Sequence, residues 1–191
     1  MPPRAKFTRE DIVNTALELV RADGMSGLSA RALAAKLGSS VKPIFGMFEN
    51  MEALQFAVLE AANARYQEHL QRGMEEGIYP PYKASGMAYI DFARQESELF
   101  KLLFMRDRSG ETTVENRDEI QPQLALIQQN LGISADDAYL FHMQMWIYVH
   151  GIATMVATSF LDWDNEFVSK VITDAYLGLK YRYVDAAGET T

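Results

Sequence analysis

The segment from residue 28 to residue 54, LSARALAAKLGSSVKPIFGMFENMEAL, constrains the fold more than any other part of the chain. It predicts a helix, a tight turn, a short second helix and the start of a third. Ala34 is small enough to let two helices approach, and Gly38 tolerates the backbone geometry that ends the first helix. The apolar positions that would pack these helices together are Leu33, Leu37, Ile44 and Phe48. This is the pattern of a helix-turn-helix, whose second helix typically enters the DNA major groove.

The charge distribution agrees with a DNA-binding first quarter, although the whole chain has a net charge of −8. Residues 1–50 hold seven Lys and Arg against five acidic residues, whereas residues 51–191 hold eleven against twenty-one. Phosphate contacts would therefore come from the N-terminal part. The charge alone leaves open whether this small positive excess is ordinary variation.

Composition excludes several other classes of protein. The chain has no cysteine, so disulfides, zinc–thiolate sites and thiol catalysis are excluded. The basic start, MPPRAKF, lacks the apolar core of a signal peptide, and the longest apolar stretch, 138–161, is broken by polar residues. We expect a soluble cytoplasmic protein that does not enter the membrane.

Apolar periodicity and helix-capping residues predict an all-α fold of about nine helices, without credible strand pairs. Thr8, Ser29 and Ser134 are predicted helix caps, and Ser39 and Ser40 are candidates to cap the short third helix. The predicted helices cover about 8–23, 30–37, 41–47, 51–73, 82–95, 97–106, 115–130, 134–160 and, from 162 or 164, to 183.

The last two predicted helices carry more apolar surface than a chain of 191 residues can cover by itself. The helix at 134–160 is apolar almost all round, and the last helix adds a further apolar face. A symmetric dimer through these two helices, arranged as a four-helix bundle, would bury that surface. Such a dimer would also present two recognition helices to two DNA half-sites.

The stretch from TREDIVNTALELVRADG through LSARALAAKLGSSVKPIFGMFENMEALQFAVL resembles the N-terminal domain of TetR-family transcriptional regulators. The VHG at residues 149–151 also resembles a segment of the ligand-binding part of some members. The resemblance implies a helix-turn-helix domain at residues 1–50, a ligand-binding and dimerisation domain at 51–185 and a disordered tail at 186–191. It further implies a dimeric repressor, in which a small molecule shifts the fourth helix and moves the recognition helices.

The recognition segment departs from the family pattern. Members often close it with Tyr-x-His-Phe, where this chain has Phe45-Gly46-Met47-Phe48. Operator affinity would then be modest, or readout would depend on apolar contacts to thymine methyls and on DNA shape. The alternatives to DNA contact are that Lys42 is only solvated, that the serines only cap helices, and that Phe45 packs in the core. The predicted DNA-binding residues are Ser29, Arg31, Ser39, Ser40, Lys42, Phe45 and Gly46.

A candidate ligand site lies in the C-terminal half, where Trp146 and His150 share one helical face. His150 would be its polar anchor, and ten methionines suggest an adaptable apolar interior. Ordinary core packing is the alternative for each aromatic residue. The predicted ligand-binding residues are Phe92, Phe104, Met105, Met143, Trp146 and His150. The three histidines are too far apart in sequence to suggest a metal site, and no cofactor is predicted.

No phosphate loop, nucleophile elbow or Ser–His–Asp grouping suggests catalysis. The sequence therefore predicts a ligand-responsive, dimeric transcriptional regulator rather than an enzyme. It would bind a double-stranded operator as a repressor and be released by a small hydrophobic effector. A helical ligand-binding or interaction protein with a degenerate helix-turn-helix is the alternative.

Overall fold

The computed structural model describes residues 7–109 and 120–185. In these two ranges the chain forms nine α-helices and no β-strand, so the predicted all-α fold is confirmed. The helices are α1 (Arg9–Asp23), α2 (Ala30–Lys36), α3 (Lys42–Phe45), α4 (Met51–Glu75), α5 (Pro81–Gln95), α6 (Ser97–Phe104), α7 (Gln121–Leu131), α8 (Ala135–Ala157) and α9 (Asn165–Lys180). The predicted tail at 186–191 and the predicted helix start at 115 lie outside the described residues.

Helix α1 begins at the capping box that the sequence predicts. The Thr8 hydroxyl accepts a hydrogen bond from the Asp11 amide at 3.0 Å, and the Asp11 carboxylate accepts one from the Thr8 amide at 2.8 Å. Two amides without helical partners are thereby satisfied, which is worth about 1 kcal/mol. The buried face of the helix consists of Ile12, Val13, Ala16, Leu17 and Val20.

Helices α2 and α3 form the predicted helix-turn-helix, but α3 is shorter than expected. Ser29 caps α2 as predicted, and Gly38 follows that helix with φ of +61°, a conformation that favours glycine. The prediction that Ser39 or Ser40 caps α3 is wrong, because Val41 occupies the N-cap position without a side-chain hydrogen bond. The chain turns helical at Val41, one residue after the serines.

The described residues divide into two compact units. The first is formed by the chain up to Glu68 together with Glu96–Arg106, and the second by His69–Gln95 and the chain from Asp107 onward. Helix α4 therefore supplies residues to both units. The functional boundaries at residues 50 and 185 stay predictions.

In the second unit, α5 packs against α8, and α7 and α9 flank α8. Ser134 and Asp164 cap α8 and α9 through their side chains. Lys83 on α5 donates hydrogen bonds to Ser169 at 2.7 Å and Thr173 at 2.8 Å, both on α9. None of the helices within the described ranges combines the length and the apolar character needed to cross a membrane.

Candidate functional site

The short helix α3 and the residues beside it face in two directions. Ile44 and Phe48 are buried and fasten the segment to the first unit. On the outward side, Val41, Phe45 and Met47 are 41%, 46% and 40% exposed. These three residues define what we call the apolar tip. Large apolar side chains are usually buried, so three exposed ones on one short segment indicate a contact surface.

The segment that carries the apolar tip has no acidic residue from Leu28 to Phe48. Its three cations, Arg31, Lys36 and Lys42, are all exposed. This stretch is locally positive in a protein whose net charge is −8. Its charge complements a polyanion.

The predicted DNA-binding residues all belong to this segment, and most of them are accessible. Ser29, Arg31, Ser40, Lys42, Phe45 and Gly46 are exposed, and Ser39 is half-buried. The Ser29 hydroxyl accepts a hydrogen bond from the Ala32 amide at 3.2 Å, so capping is one role of this residue. Their contacts with DNA stay predictions.

A buried carboxylate joins three helices of the first unit. Glu96, at the N-cap of α6, accepts hydrogen bonds from the Arg21 Nε at 2.7 Å and Nη2 at 2.8 Å. The Arg65 Nε of α4 donates to the same carboxylate at 2.8 Å. Burial raises the pKa of Glu96, but the hydrogen bonds and charges of the two arginines outweigh burial and hold it below 4.5.

The sequence analysis missed this Glu96 cluster. Arg21 and Glu96 are 75 residues apart, and no local pattern connects them. The sequence signal for this cluster was weak. It consists of one charged residue, Glu96, between two helices whose buried faces are otherwise apolar. The cluster positions α1, the supporting helix of the helix-turn-helix, on α4.

In the second unit, Trp146 and His150 lie on one face of α8, as predicted. Their rings stack with centroids 4.9 Å apart and planes 16° apart. Burial lowers the pKa of His150 below its usual 6.5, so the ring is neutral at pH 7. The Tyr89 hydroxyl of α5 and the His150 Nδ1 share a hydrogen bond of 2.8 Å.

A second tyrosine–histidine pair repeats this arrangement further along the same two helices. The Tyr82 hydroxyl lies 3.1 Å from the His142 Nδ1. Burial raises the pKa of Tyr82 and lowers that of His142, so both side chains are neutral at pH 7. Sequence reasoning missed both tyrosines. Their seven-residue spacing, beside the eight-residue spacing of the histidines, was the available signal.

The remaining predicted ligand-binding residues have different surroundings. Phe92 is fully buried in the second unit and packs edge-on against the ring of His69. Met143 is half-buried on α8. Phe104 and Met105 belong to the first unit, where the Phe104 ring packs against Tyr66 and Phe100. A ligand site built from these residues stays a prediction.

The outward faces of α8 and α9 are strongly apolar. Ile147 is 63% exposed, and Gly151, one turn further along α8, has open space where a Cβ would stand. Gly178 on α9 is open in the same way. The other exposed large apolar residues of these helices are Leu140, Trp146, Tyr148, Met155, Phe167 and Leu177.

An all-helical chain that holds a short, acid-free helix outward on a helical support belongs to the helix-turn-helix class of proteins. Comparison with known proteins places it more narrowly. Residues 82–173 match the family described as "Tetracyclin repressor-like, C-terminal domain".

The curated relatives that match the chain include two tetracycline repressors and one HTH-type regulator. The class D tetracycline repressor of Escherichia coli is 26% identical over 140 residues, which are 70% of this chain and 59% of the repressor. The class C repressor of Escherichia coli is 43% identical over 96 residues, or 47% of this chain and 44% of that protein. An HTH-type transcriptional regulator of Mycobacterium tuberculosis is 24% identical over 179 residues, or 92% and 81% of the two chains.

Two solved structures share the fold. A protein from Rhodococcus sp. RHA1 superposes with a TM-score of 0.63 at 23% identity and covers 96% of this chain and 98% of its own. A TetR-family member from Streptomyces coelicolor A3 has a TM-score of 0.56 at 18% identity, with coverage of 87% and 96%. The chain belongs to the TetR family of transcriptional regulators. It spans 59% of the length of the class D and class H tetracycline repressors that it matches.

Proposed function

We propose that this protein is a dimeric transcriptional repressor that binds double-stranded operator DNA and is released by a small, largely hydrophobic effector. The observation that carries the proposal is the outward, acid-free α3 segment of a helix-turn-helix, in a chain of which 92% aligns with an HTH-type transcriptional regulator. A groove-binding segment must expose side chains toward the bases and keep acidic groups away from the phosphates. This segment meets both requirements. Such a protein would act in the cytoplasm, where the DNA is accessible.

The exposed apolar faces of α8 and α9 support dimerisation. They offer large side chains together with two open glycines, at which a partner helix can approach closely. An isologous pairing would bury the same faces on both copies and produce the four-helix arrangement of many helical dimers. The two α3 segments would then read two half-sites of one operator.

The Trp146–His150–Tyr89 cluster supports an effector site in the second unit. It combines flat aromatic surface with a neutral imidazole that can orient a polar group. Binding sites for small molecules typically have this composition of apolar walls with few polar anchors. Occupancy would act on the first unit through α4, which is one continuous helix with residues in both units.

DNA binding is tested by selecting duplexes from a random library with the purified protein and measuring affinity for the enriched sequence at several salt concentrations. Replacing Lys42 with Ala should weaken binding and lower the salt slope by about one unit for each half-site, because one phosphate contact is lost. Lys170→Ala, which removes an exposed lysine of α9, is the control and should leave the slope unchanged. Failure to enrich any duplex would refute the repressor and favour a helical ligand-binding protein with a degenerate helix-turn-helix.

The effector site is tested by screening small hydrophobic compounds for release of that selected duplex. Trp146→Ala should shift the dose-response curve of an active compound while affinity for DNA stays near the wild-type value. Trp163→Ala is the matched control, since Trp163 stacks on Phe167 outside the cluster. Superimposable curves for the wild type and Trp146→Ala would remove Trp146 from the site.

A further inference from the structure

We propose that the apolar tip reads the C5-methyl groups of thymines, so that operator specificity depends mainly on methyl contacts. The inference rests on the proposed DNA binding and states which chemical groups of the DNA are recognised. It starts from what α3 lacks. Between Val41 and Phe48 the chain has no Arg, Asn, Gln, Asp or Glu. These are the side chains that make most of the specific hydrogen bonds to base edges.

Lys42 is the only charged residue in that interval, and its flexible ammonium contacts phosphates as readily as bases. Within this interval the exposed side chains left to distinguish base pairs are Val41, Phe45 and Met47, and the short hydroxyls of Ser39 and Ser40 precede it. Val41, Phe45 and Met47 have no strong hydrogen-bonding group, so their contacts with bases are apolar. In the major groove of unmodified DNA, the apolar group is the thymine methyl, which marks both the presence and the strand of an A·T pair.

The backbone places Val41 and Phe45 on one side of a helical turn. Val41 and Phe45 are four residues apart in a helical turn, with the Phe45 amide donating to the Val41 carbonyl at 3.3 Å. Met47 follows in the next turn, where its amide donates to the Ile44 carbonyl at 3.0 Å. Ile44 and Phe48 are buried and hold the segment on the first unit, so the apolar tip cannot turn inward without exposing them.

Charge identifies DNA, rather than a second protein, as the occupant of this surface. The tip lies within the acid-free stretch of residues 28–48, which carries the exposed cations Arg31, Lys36 and Lys42 and ends just before Glu49. A surface segment with this excess of positive charge fits a groove bordered by phosphates. A second copy that docked through the same segment would bring the same positive charges and would be repelled.

The test uses the wild-type protein and changes only the DNA. In the duplex enriched by selection, each thymine is replaced in turn by uracil, which keeps every hydrogen-bonding group and removes only the methyl. Burying one methyl is worth about 0.8 kcal/mol, so each contacted position should lose about fourfold in affinity. At least one uracil position in each half-site should show this loss.

Protein variants then assign the contacts to the tip. In Phe45→Ala, substitution of uracil at the thymine that Phe45 contacts should no longer weaken binding, because the apolar partner is gone. Phe56→Ala is the matched control, since Phe56 is a phenylalanine of α4 that is 61% exposed. It should keep the wild-type pattern of uracil sensitivity.

The outcomes separate this inference from the proposed function. If no duplex is enriched, DNA binding itself fails. If a duplex binds tightly and every uracil substitution leaves its affinity unchanged, methyl readout is wrong although DNA binding stands. Self-association of the DNA-free protein that disappears in Phe45→Ser would also overturn the inference, because the tip would then be a protein interface.

Discussion

A single carboxylate, Glu96, satisfies two arginines from helices that are distant in sequence. It is almost fully buried, and its two oxygens receive three nitrogen donors from Arg21 and Arg65 at 2.7 to 2.8 Å. Hydrogen bonds between charged groups are about twice as strong as neutral ones. They also cost more when one partner is removed, since the remaining charges are left without compensation.

Replacing Glu96 with Gln should therefore lower the free energy of unfolding by about 1–3 kcal/mol at pH 7, because the amide cannot accept at both ends or neutralise the arginines. The pKa of Glu96 is held below 4.5, so its stabilisation is present above that pH and is lost as the pH falls through the lowered value. Urea denaturation at pH 7 and at decreasing pH should show the difference between wild type and variant shrinking with acid.

Glu98→Gln is the matched control for this experiment. Glu98 lies two residues further along, within α6, and forms a partly exposed ion pair with Lys101 at 2.7 Å. Removing such a pair should cost less than about 0.5 kcal/mol. If the two variants lost the same free energy of unfolding, the Glu96 cluster would stabilise the first unit no more than the Glu98–Lys101 pair does.

At the scale of elements, the features that local sequence determines were predictable. Thr8, Ser29 and Ser134 each begin a helix because a short polar side chain can satisfy an amide three residues ahead. The third helix was placed less well, because Ser39 and Ser40 resemble caps but follow the left-handed Gly38 too closely to serve α3.

Contacts between distant segments were beyond sequence reasoning. The pairing of Tyr89 with His150 joins residues 61 positions apart, and it depends on how α5 and α8 cross. The predicted partner residues Phe104 and Met105 were chosen for their aromatic or sulfur character alone. The structure assigns both to the first unit, a division that no periodicity along the chain reveals.

The packing of α4 against α5 depends on Gly73. A Cβ at this position would stand 2.7 Å from the Cβ of Ala88, which cannot move without its helix. Gly73→Ala should therefore push the helices apart and destabilise the protein by about 1–3 kcal/mol, even though alanine favours helix formation. Thermal unfolding followed by circular dichroism measures the change.

Gly86→Ala provides the opposite case within α5. A Cβ at this site would stand 3.5 Å from the Val149 Cγ2, an ordinary van der Waals distance, so the variant should gain up to about 1 kcal/mol from helix propensity. A Gly73→Ala protein as stable as Gly86→Ala would mean that α4 and α5 are not in close contact at Gly73.

At the scale of the whole molecule, α8 and α9 combine a buried and an exposed apolar face. Met145, Val149, Ile152 and Val156 are buried within one chain, whereas Ile147, Tyr148 and Met155 are exposed. A monomer would leave this second face in water, which soluble chains rarely do over a continuous patch. A dimer would cover it and would also set the distance between the two α3 segments, so that oligomeric state and operator affinity are linked.

Replacing Ile147 with Asp should convert the proposed dimer to a folded monomer, because each copy would bring an uncompensated carboxylate into an apolar interface. Analytical ultracentrifugation should show half the wild-type mass with an unchanged circular dichroism spectrum. Operator affinity should fall by about 100-fold or more, since each monomer would bind one half-site without the second. Ile78→Asp, which changes an equally exposed isoleucine between α4 and α5, should keep both the mass and the affinity. A dimer that survives Ile147→Asp would exclude the α8–α9 face as the interface, and the spacing of the half-sites would then have to be set by another surface.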